Sequence, residues 1–437
     1  MPTTHSLEAD VIVVGSGPGG ATVARSLARA GKRVLLFERG IDQRYRFYYG
    51  TYLGPLLYSD RGSLLFTKER LNIVRPMLVG GATSMFCGCA SQPPPWLKEK
   101  YGVDIDAEVA DTIEEIDIAP LPDDLCGTAS TRIAEAAQAL GYAWERQPKF
   151  MNPGQAEKFD CGAKCMLGCR CGAKWNAAEY VDDAVAAGAV LRTRALVGRV
   201  LIKGGRCVGV AGRMQGQPFT AQAETVVLCA GGIGTPRILQ ASGFTQAGVG
   251  MSMDTTVMVY GFGKAPGIGK EPPMTWSWEN DEDGYMLSTL ADPWLLFPLI
   301  SLLKGIRYPL YWPRWGRALS VMVKLKDEIS GGVFPDGTIS KPTTDHDRAG
   351  LTTAENVCRR ILVKAGADPG TIFTSPQRGT HPGGTVRIGV MLDTDLRTET
   401  SGLYVCDASV FPEALCRPTV LTIIGLGKRL AKHLAAT

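Results

Sequence analysis

The sequence predicts an α/β fold in which a discontinuous dinucleotide-binding domain carries a second domain built mostly on an antiparallel sheet. Three stretches predict it. Residues 9–38 read as strand, glycine-rich turn, helix and second strand, and residues 225–243 repeat the step from a buried strand through a glycine turn into a helix. Residues 253–325 hold runs that alternate like strands, separated by Gly, Pro and acidic turns. At 437 residues the chain is long enough for two or three domains.

Composition narrows the function classes. The apolar fraction of 45% and charged fraction of 21% are those of an ordinary globular protein, and a net charge of +4 is too small at this length to argue for nucleic acid. Twelve cysteines occur without a basic, apolar leader at the N-terminus. They read as reduced thiols and not as a disulfide framework, and a cytoplasmic location is expected.

The first unit opens on the β-branched run Val11–Val14 and the turn Gly15-Ser16-Gly17-Pro18-Gly19-Gly20, with a helix from Ala21 to Ala30. Gly15 makes the tight turn, Gly17 lets the backbone meet a pyrophosphate, and Gly20 packs helix on strand. The second apolar run ends at Glu38, in the position that accepts adenosine ribose hydroxyls, which favours FAD or NAD over NADP. Further on, Gly80-Gly81-Ala82-Thr83-Ser84 can run its backbone against a flavin or a phosphate. An acidic helix is expected over 104–115. A second is expected over 131–140, with Ser130 as its N-cap and Gly141 as its stop.

Cys161, Cys165, Cys169 and Cys171 then fall within eleven residues, among Gly162, Lys164, Gly168 and Arg170. Thiolates this dense suit an iron–sulfur cluster, and four suffice for tetrahedral zinc. One residue between Cys169 and Cys171 is poor spacing for chelating a single ion. Plain thiols are the third reading, and Cys87 and Cys89 are further candidate ligands. A helix follows over 177–187, then strands over 190–197, 199–202 and 207–210.

The antiparallel region interrupts its strands with Trp294-Leu-Leu-Phe-Pro-Leu-Ile-Ser-Leu-Leu303, flanked by Lys304, Arg307, Arg314 and Arg317 and by four aromatic residues. The run is too short to span a bilayer, which needs about 20 residues. It reads either as an interfacial patch or substrate entrance, giving peripheral membrane contact through 294–317, or as a buried helix roofing a pocket. His346, between Asp345 and Asp347, reads as a surface or loop histidine.

Four segments, in order, resemble the glucose–methanol–choline (GMC) flavin oxidoreductases. The first joins the 9–38 unit to Gly80-Gly81-x-Thr83-Ser84. The second is the strand leading to Ala230-Gly231, Thr235-Pro236 and Ser242-Gly243. The third is His381-x-x-Gly384-Thr385-x-Arg387-x-Gly389. The fourth is Leu403–Pro412 with Asp407-Ala408, continued by Pro418-Thr419. The resemblance implies a Rossmann-like FAD-binding domain at 1–100, 177–250 and 375–437, and a substrate domain at 101–160 and 251–374. The cysteine loop at 161–176 lies between them. It implies FAD held at Gly15, Gly17, Gly20, Glu38, Gly80, Gly81, Thr83, Ser84, Ala230, Gly231, Asp407, Ala408 and Thr419. The implied reaction is oxidation of a CH–OH group, with His381 as general base, and the apolar run inclines the substrate towards an apolar alcohol.

Two departures stand out. Phe86 lies where the family often has Asn or His, so no histidyl–flavin bond is expected. Arg417 replaces the Asn before Pro418; its guanidinium could stabilise a forming alkoxide, point elsewhere or bind a substrate carboxylate. The cysteine loop resembles that of flavin sugar dehydrogenases carrying a 3Fe–4S cluster. This implies Cys161, Cys165 and Cys169 as ligands, with Cys171 able to make the cluster 4Fe–4S, and electrons passing to an acceptor protein or quinone. Rival readings are a lyase without net redox chemistry, an electron-transfer subunit, and a lipid reductase or desaturase.

Overall fold

The computed structural model describes residues 6–158 and 164–436. Its centre is a five-stranded sheet in the order Leu403–Val405, Thr225–Leu228, Val11–Val14, Val34–Phe37, Val190–Arg192, with every neighbour parallel. The strands Val11–Val14 and Val34–Phe37 are buried along their whole length, as strands covered on both faces must be. The helix Pro18–Arg29 packs against the helices Ala177–Ala186 and Val420–Ala436. Segments from the beginning, middle and end of the chain therefore share one sheet.

The second layer is a nine-stranded, mostly antiparallel sheet. Thr256–Phe262 pairs with Ala318–Leu325 over its full length, followed by Tyr285–Thr289 and Trp276–Asn280. Alternation sorts the side chains of Ala318–Leu325 onto two faces. Leu319, Val321, Val323 and Leu325 pack under the helix Asp345–Lys364, whereas Ala318 and Met322 join a separate aromatic and methionine cluster. Lys324 shares the second face, which looks towards the site described below.

One expectation is corrected. The helix expected at 131–140 runs from Thr128 to Gln138, and Ser130 is inside it. Its start is capped from a distance by Glu271, whose carboxylate accepts from Ala129 N (2.7 Å), Ser130 N (2.8 Å) and Ser130 Oγ (2.7 Å). His346 takes the surface position expected for it, exposed in the first turn of a 20-residue helix closed by a Thr344/Asp347 capping box. The acidic helix, Asp106–Ile116, packs against the last helix, Val420–Ala436. Lys428 of the last helix bonds both Asp111 (2.6 Å) and Glu115 (2.7 Å). Burial pushes the Glu115 carboxyl up, but Arg25 and Lys428 together pull it down to about 2.

Glu271 thus replaces a local cap with a long-range one, and two backbone N–H groups depend on it. Glu271→Ala is expected to cost about 1–2 kcal/mol, seen as a lower urea midpoint, with Glu271→Gln retaining part of it.

Candidate active site

The N-terminal turn is closed everywhere except at one point. A Cβ on Gly15 (φ +103°) would sit 2.3 Å from the Cys229 carbonyl oxygen, one on Gly19 2.0 Å from that of Cys406, and one on Gly20 1.8 Å from that of Gly15. A Cβ on Gly17 would meet nothing within 4 Å. Gly17 N-caps the helix Pro18–Arg29, whose first turn has no acidic side chain, so the helix dipole is left for an anion. Gly81 crosses directly above, with its would-be Cβ 2.9 Å from Gly17 Cα. Glu38 is buried and accepts from Ser16 N (3.0 Å), Ser16 Oγ (2.7 Å) and Gly40 N (2.8 Å).

Thr83 and Ser84 are fully buried, and their hydroxyls turn inward. Thr83 Oγ1 donates to Gly80 O (2.6 Å) and accepts from Ala177 N (2.9 Å), while Ser84 Oγ accepts from Asn176 Nδ2 (3.0 Å). These side chains anchor the loop, leaving the Gly80–Gly81 backbone over the turn. Across the sheet, Asp407 accepts from Gly231 N (2.8 Å), Thr235 Oγ1 (2.5 Å) and Ser409 N (2.8 Å). Burial pushes its carboxyl up, opposed by those bonds. Ala230 precedes that clamp, the Ala408 carbonyl accepts from Gly384 N (3.2 Å), and Thr419 is buried at the mouth of the last helix. The opening at Gly17, beneath the Gly81 backbone and beside an unopposed helix N-terminus, fits the diphosphate of FAD.

His381 stands at the junction of the two layers. Its Nδ1 lies 2.7 Å from Asp254 Oδ2, and the other Asp254 oxygen accepts from Cys416 N (3.0 Å). Asp254 is 2% exposed and has φ +46°, a left-handed conformation that aims its carboxylate at both partners. The His381 side chain is 26% exposed. Burial and the nearby Lys324 ammonium lower its basicity, and Asp254 partly restores it. Lys324 is buried and donates to Thr380 Oγ1 (2.7 Å); burial lowers its own pKa, against Asp254, Cys416, Cys87 and Asp327.

Arg417 does not face this site as a free donor. Its guanidinium pairs with Glu279 (3.0 Å) and Asp281, and its Nε donates to Leu415 O (3.2 Å). Of the three readings raised for it, this pairing favours one that points elsewhere: it pins the Cys416–Arg417 turn, which supplies the N–H that holds Asp254. Three residues escaped the sequence reading. Asn176 had a signal, since Asn-x-x-Glu before a helix is a capping pattern, and it does form that box with Glu179. Lys324 had a weaker one, as the lone charge in an apolar alternating strand. Asp254 had none, because its importance lies in a contact 127 positions away.

Of the four expected thiolate ligands, Cys161 lies outside the described residues. Cys165 is buried, and Cys169 and Cys171 are half-buried with their sulfurs 3.4 Å apart, beyond the ~2.05 Å of a disulfide. Burial pushes the Cys171 thiol up to about 11. Among the described residues no three His, Cys, Asp or Glu side chains are disposed to hold a metal ion. Two buried lysines hold the Gly80–Cys89 segment, and one of them, Lys174, ties it to the cysteine loop. Lys174 Nζ donates to Phe86 O (2.7 Å), Cys165 O (3.0 Å) and Ser84 O (3.1 Å). Lys149 Nζ donates to Cys87 O (2.8 Å), Pro273 O (2.8 Å) and Cys89 Sγ (3.1 Å).

The glycine geometry separates cofactor binding from folding. Gly17→Ala has room in the protein and is expected to melt like the parent while binding FAD about 1–3 kcal/mol more weakly, the usual cost of an inserted methyl. Gly19→Ala must displace the Cys406 backbone and is expected to lower the melting temperature itself. Flavin absorbance and thermal melts of both variants check this.

Comparison with known proteins agrees with the geometry. Two family models described as GMC oxidoreductase match residues 56–270 and 332–427, and an NAD(P)-binding Rossmann-like domain matches 13–56. An uncharacterized protein of Methanocaldococcus jannaschii is 27% identical over 97% of this chain and 99% of its own length. A long-chain-alcohol oxidase of Arabidopsis thaliana is 25% identical over 96% of this chain, which spans 66% of that enzyme. An uncharacterized GMC-type oxidoreductase of Mycobacterium tuberculosis is 33% identical over 54% of this chain and 39% of its own length. In fold, the chain is similar to pyridoxine 4-oxidase from Mesorbium loti (TM-score 0.71, 16% identity, 98% of this chain and 99% of that one). It is similar also to formate oxidase of Aspergillus oryzae (TM-score 0.71, 14% identity, 99% of each chain). The chain belongs to the GMC oxidoreductase family, and with it to the FAD-dependent oxidoreductases that act on CH–OH donors.

Proposed function

We propose that the protein oxidises the CH–OH carbon of an apolar alcohol to a carbonyl, with His381 as the base. The observation that carries this reading is the Asp254–His381 pair. An ionised carboxylate only accepts, so Nδ1 of His381 keeps its hydrogen and Nε2 holds a lone pair. Burial and Lys324 keep the ring neutral and ready to take the hydroxyl proton. As the proton arrives, Asp254 at 2.7 Å stabilises the imidazolium and holds the ring in place. FAD, seated by Gly15–Gly20, Glu38, Gly80–Gly81 and Gly231, would supply the acceptor for the hydride leaving carbon. The alcohol thus loses a hydride and a proton and becomes the carbonyl.

An apolar substrate is supported by the side chains next to the pair. Cys416, whose backbone holds Asp254, belongs to a cluster with Met258, Met286, Met322, Phe297 and Phe373. The likeness to plant long-chain-alcohol oxidases points the same way. A lyase on this scaffold would use the same histidine without net flavin reduction.

An iron–sulfur cluster on Cys161, Cys165, Cys169 and Cys171, passing single electrons to a protein or quinone acceptor, is the second part of the proposal. Lys149 and Lys174 support it. They place one ammonium group at the cysteine loop (Lys174) and one at Cys87 and Cys89 (Lys149), with bonds to carbonyls and a thiol but, among the described residues, no carboxylate. Buried charges are normally paired, and a thiolate-ligated cluster is anionic. Against it stands the absence of a three-ligand group among the described residues.

Anaerobic mixing with a primary alcohol is expected to bleach the flavin bands, and no bleaching by any alcohol would favour the lyase. His381→Ala is expected to slow bleaching about 10²–10⁴-fold with flavin still bound. The neutral ring is the active form and its pKa is lowered, so the rate should rise with pH to a plateau with a midpoint below that of free imidazole. Lys324→Met removes a charge that opposes protonation and should move that midpoint up. For the cluster, anaerobically purified protein should hold about three or four irons and about four sulfides per chain, with an EPR signal in one of its redox states. Iron below about one per chain rejects it.

A further inference from the structure

We infer that the face formed by residues 52–57 and 294–317 docks on an anionic lipid bilayer. The helix Leu296–Lys304 buries only Phe297 and Ser301. Its other side leaves Leu299 63%, Leu302 50% and Leu303 71% exposed, and Ile306 and Leu310 beyond it are 87% and 76% exposed. A second apolar segment lies alongside: the Tyr52 hydroxyl accepts from Leu295 N at 3.4 Å, and Leu53, Leu56 and Leu57 are all about half exposed. Two stretches some 240 positions apart thus make one apolar surface. Isolated exposed leucines need no explanation, but a contiguous patch does.

Charge identifies the occupant. Residues 293–317 carry Lys304, Arg307, Arg314 and Arg317 and no acidic residue, while residues 51–58 carry no charge at all. All four cations are exposed, and among the described residues none pairs with a carboxylate. An apolar surface with unpaired cations and Trp and Tyr side chains at its base suits the interface of an anionic membrane. No helix among the described residues is long and apolar enough to cross a membrane, so this one lies in the plane of the surface.

The face rests on a stiff base. Phe297 meets Tyr260 edge-on (5.1 Å) and Tyr311 stacks on Phe262 (4.8 Å). Trp294 and Trp312 lie 4.9 Å apart. Arg378 grips Asp292 through both guanidinium ends (2.7 and 3.0 Å), fixing the loop that enters the helix. The same aromatic cluster continues through Met258, Met286 and Met322 to Cys416, beside the Asp254–His381 pair. On the reading of that pair as an alcohol-oxidising site, docking would bring alcohol dissolved in the bilayer to the side of the molecule whose aromatic cluster packs against the pair.

The test uses the flavin-loaded full chain and vesicles of phosphatidylcholine with or without phosphatidylglycerol, and it needs no turnover. The protein should co-sediment with the anionic vesicles, less so as salt rises, and the double variant Leu299→Glu with Leu303→Glu should bind at least about tenfold more weakly. Its flavin spectrum and bleaching by a short, water-soluble alcohol should match the parent, showing that it is folded. Three results would overturn the docking: no binding to anionic vesicles, equal binding by the variant, or a stable dimer in light scattering that the variant abolishes. The last would show that a second copy covers the face. If vesicles bind but no alcohol bleaches the flavin, the catalytic reading fails and the docking stands.

Discussion

The site hangs on one carboxylate. Asp254 gives one oxygen to His381 Nδ1 and the other to Cys416 N, so it ties the antiparallel layer to two separate stretches of the C-terminal segment. Its left-handed backbone is unfavourable for a residue with a Cβ, and the neighbouring chain over-determines it. Buried Asp327 accepts from Met253 N (3.0 Å) and from the Thr255 hydroxyl (2.7 Å), clamping the turn on both sides of Asp254. Ser252 and Gly383 exchange backbone hydrogen bonds of 3.0 and 2.9 Å one step further out. Loss of any of these contacts would let the histidine swing.

The second constraint is electrostatic. Lys149, Lys174 and Lys324 are all nearly or fully buried, and each bonds mainly carbonyl or hydroxyl oxygens. Buried ammonium groups held in this way keep a positive field in the interior around the cysteines and His381. At His381 that field favours the neutral base. The lysines also act as fasteners: Lys174 alone joins the glycine loop at Ser84 and Phe86 to the cysteine loop at Cys165.

The layers divide the work. The parallel sheet presents helix N-termini and glycine turns, which make a phosphate site from backbone alone and tolerate no Cβ at Gly15, Gly19 or Gly20. The antiparallel sheet separates its two faces by alternation. One face is sealed by the helix Asp345–Lys364, and the other carries Met322 and Lys324 towards the cleft. Apolar packing on that second face runs from Cys416, whose backbone N–H holds Asp254, out to Phe297 of the helix Leu296–Lys304.

What the sequence determined alone was whatever is written in local pattern. The turn Gly15–Gly20, the acid at Glu38, the alternating strands and the segment around His381 could be placed because each depends on neighbours a few positions away. The departures follow the opposite rule. Ser130 was a sound local cap, yet Glu271 took over because tertiary packing brought a carboxylate to the helix start. Arg417 stayed open between three roles until folding set Glu279 and Asp281 beside it. Asp254 could not be read at all, since its partner is 127 positions away. The apolar run at 294–303 was legible as apolar but not as buried or exposed, because a helix shows its inner face only once Phe297 has something to pack on. Tertiary structure decided that, and it did so by bringing Tyr260 and Phe262 under one side of the helix and leaving the other side bare.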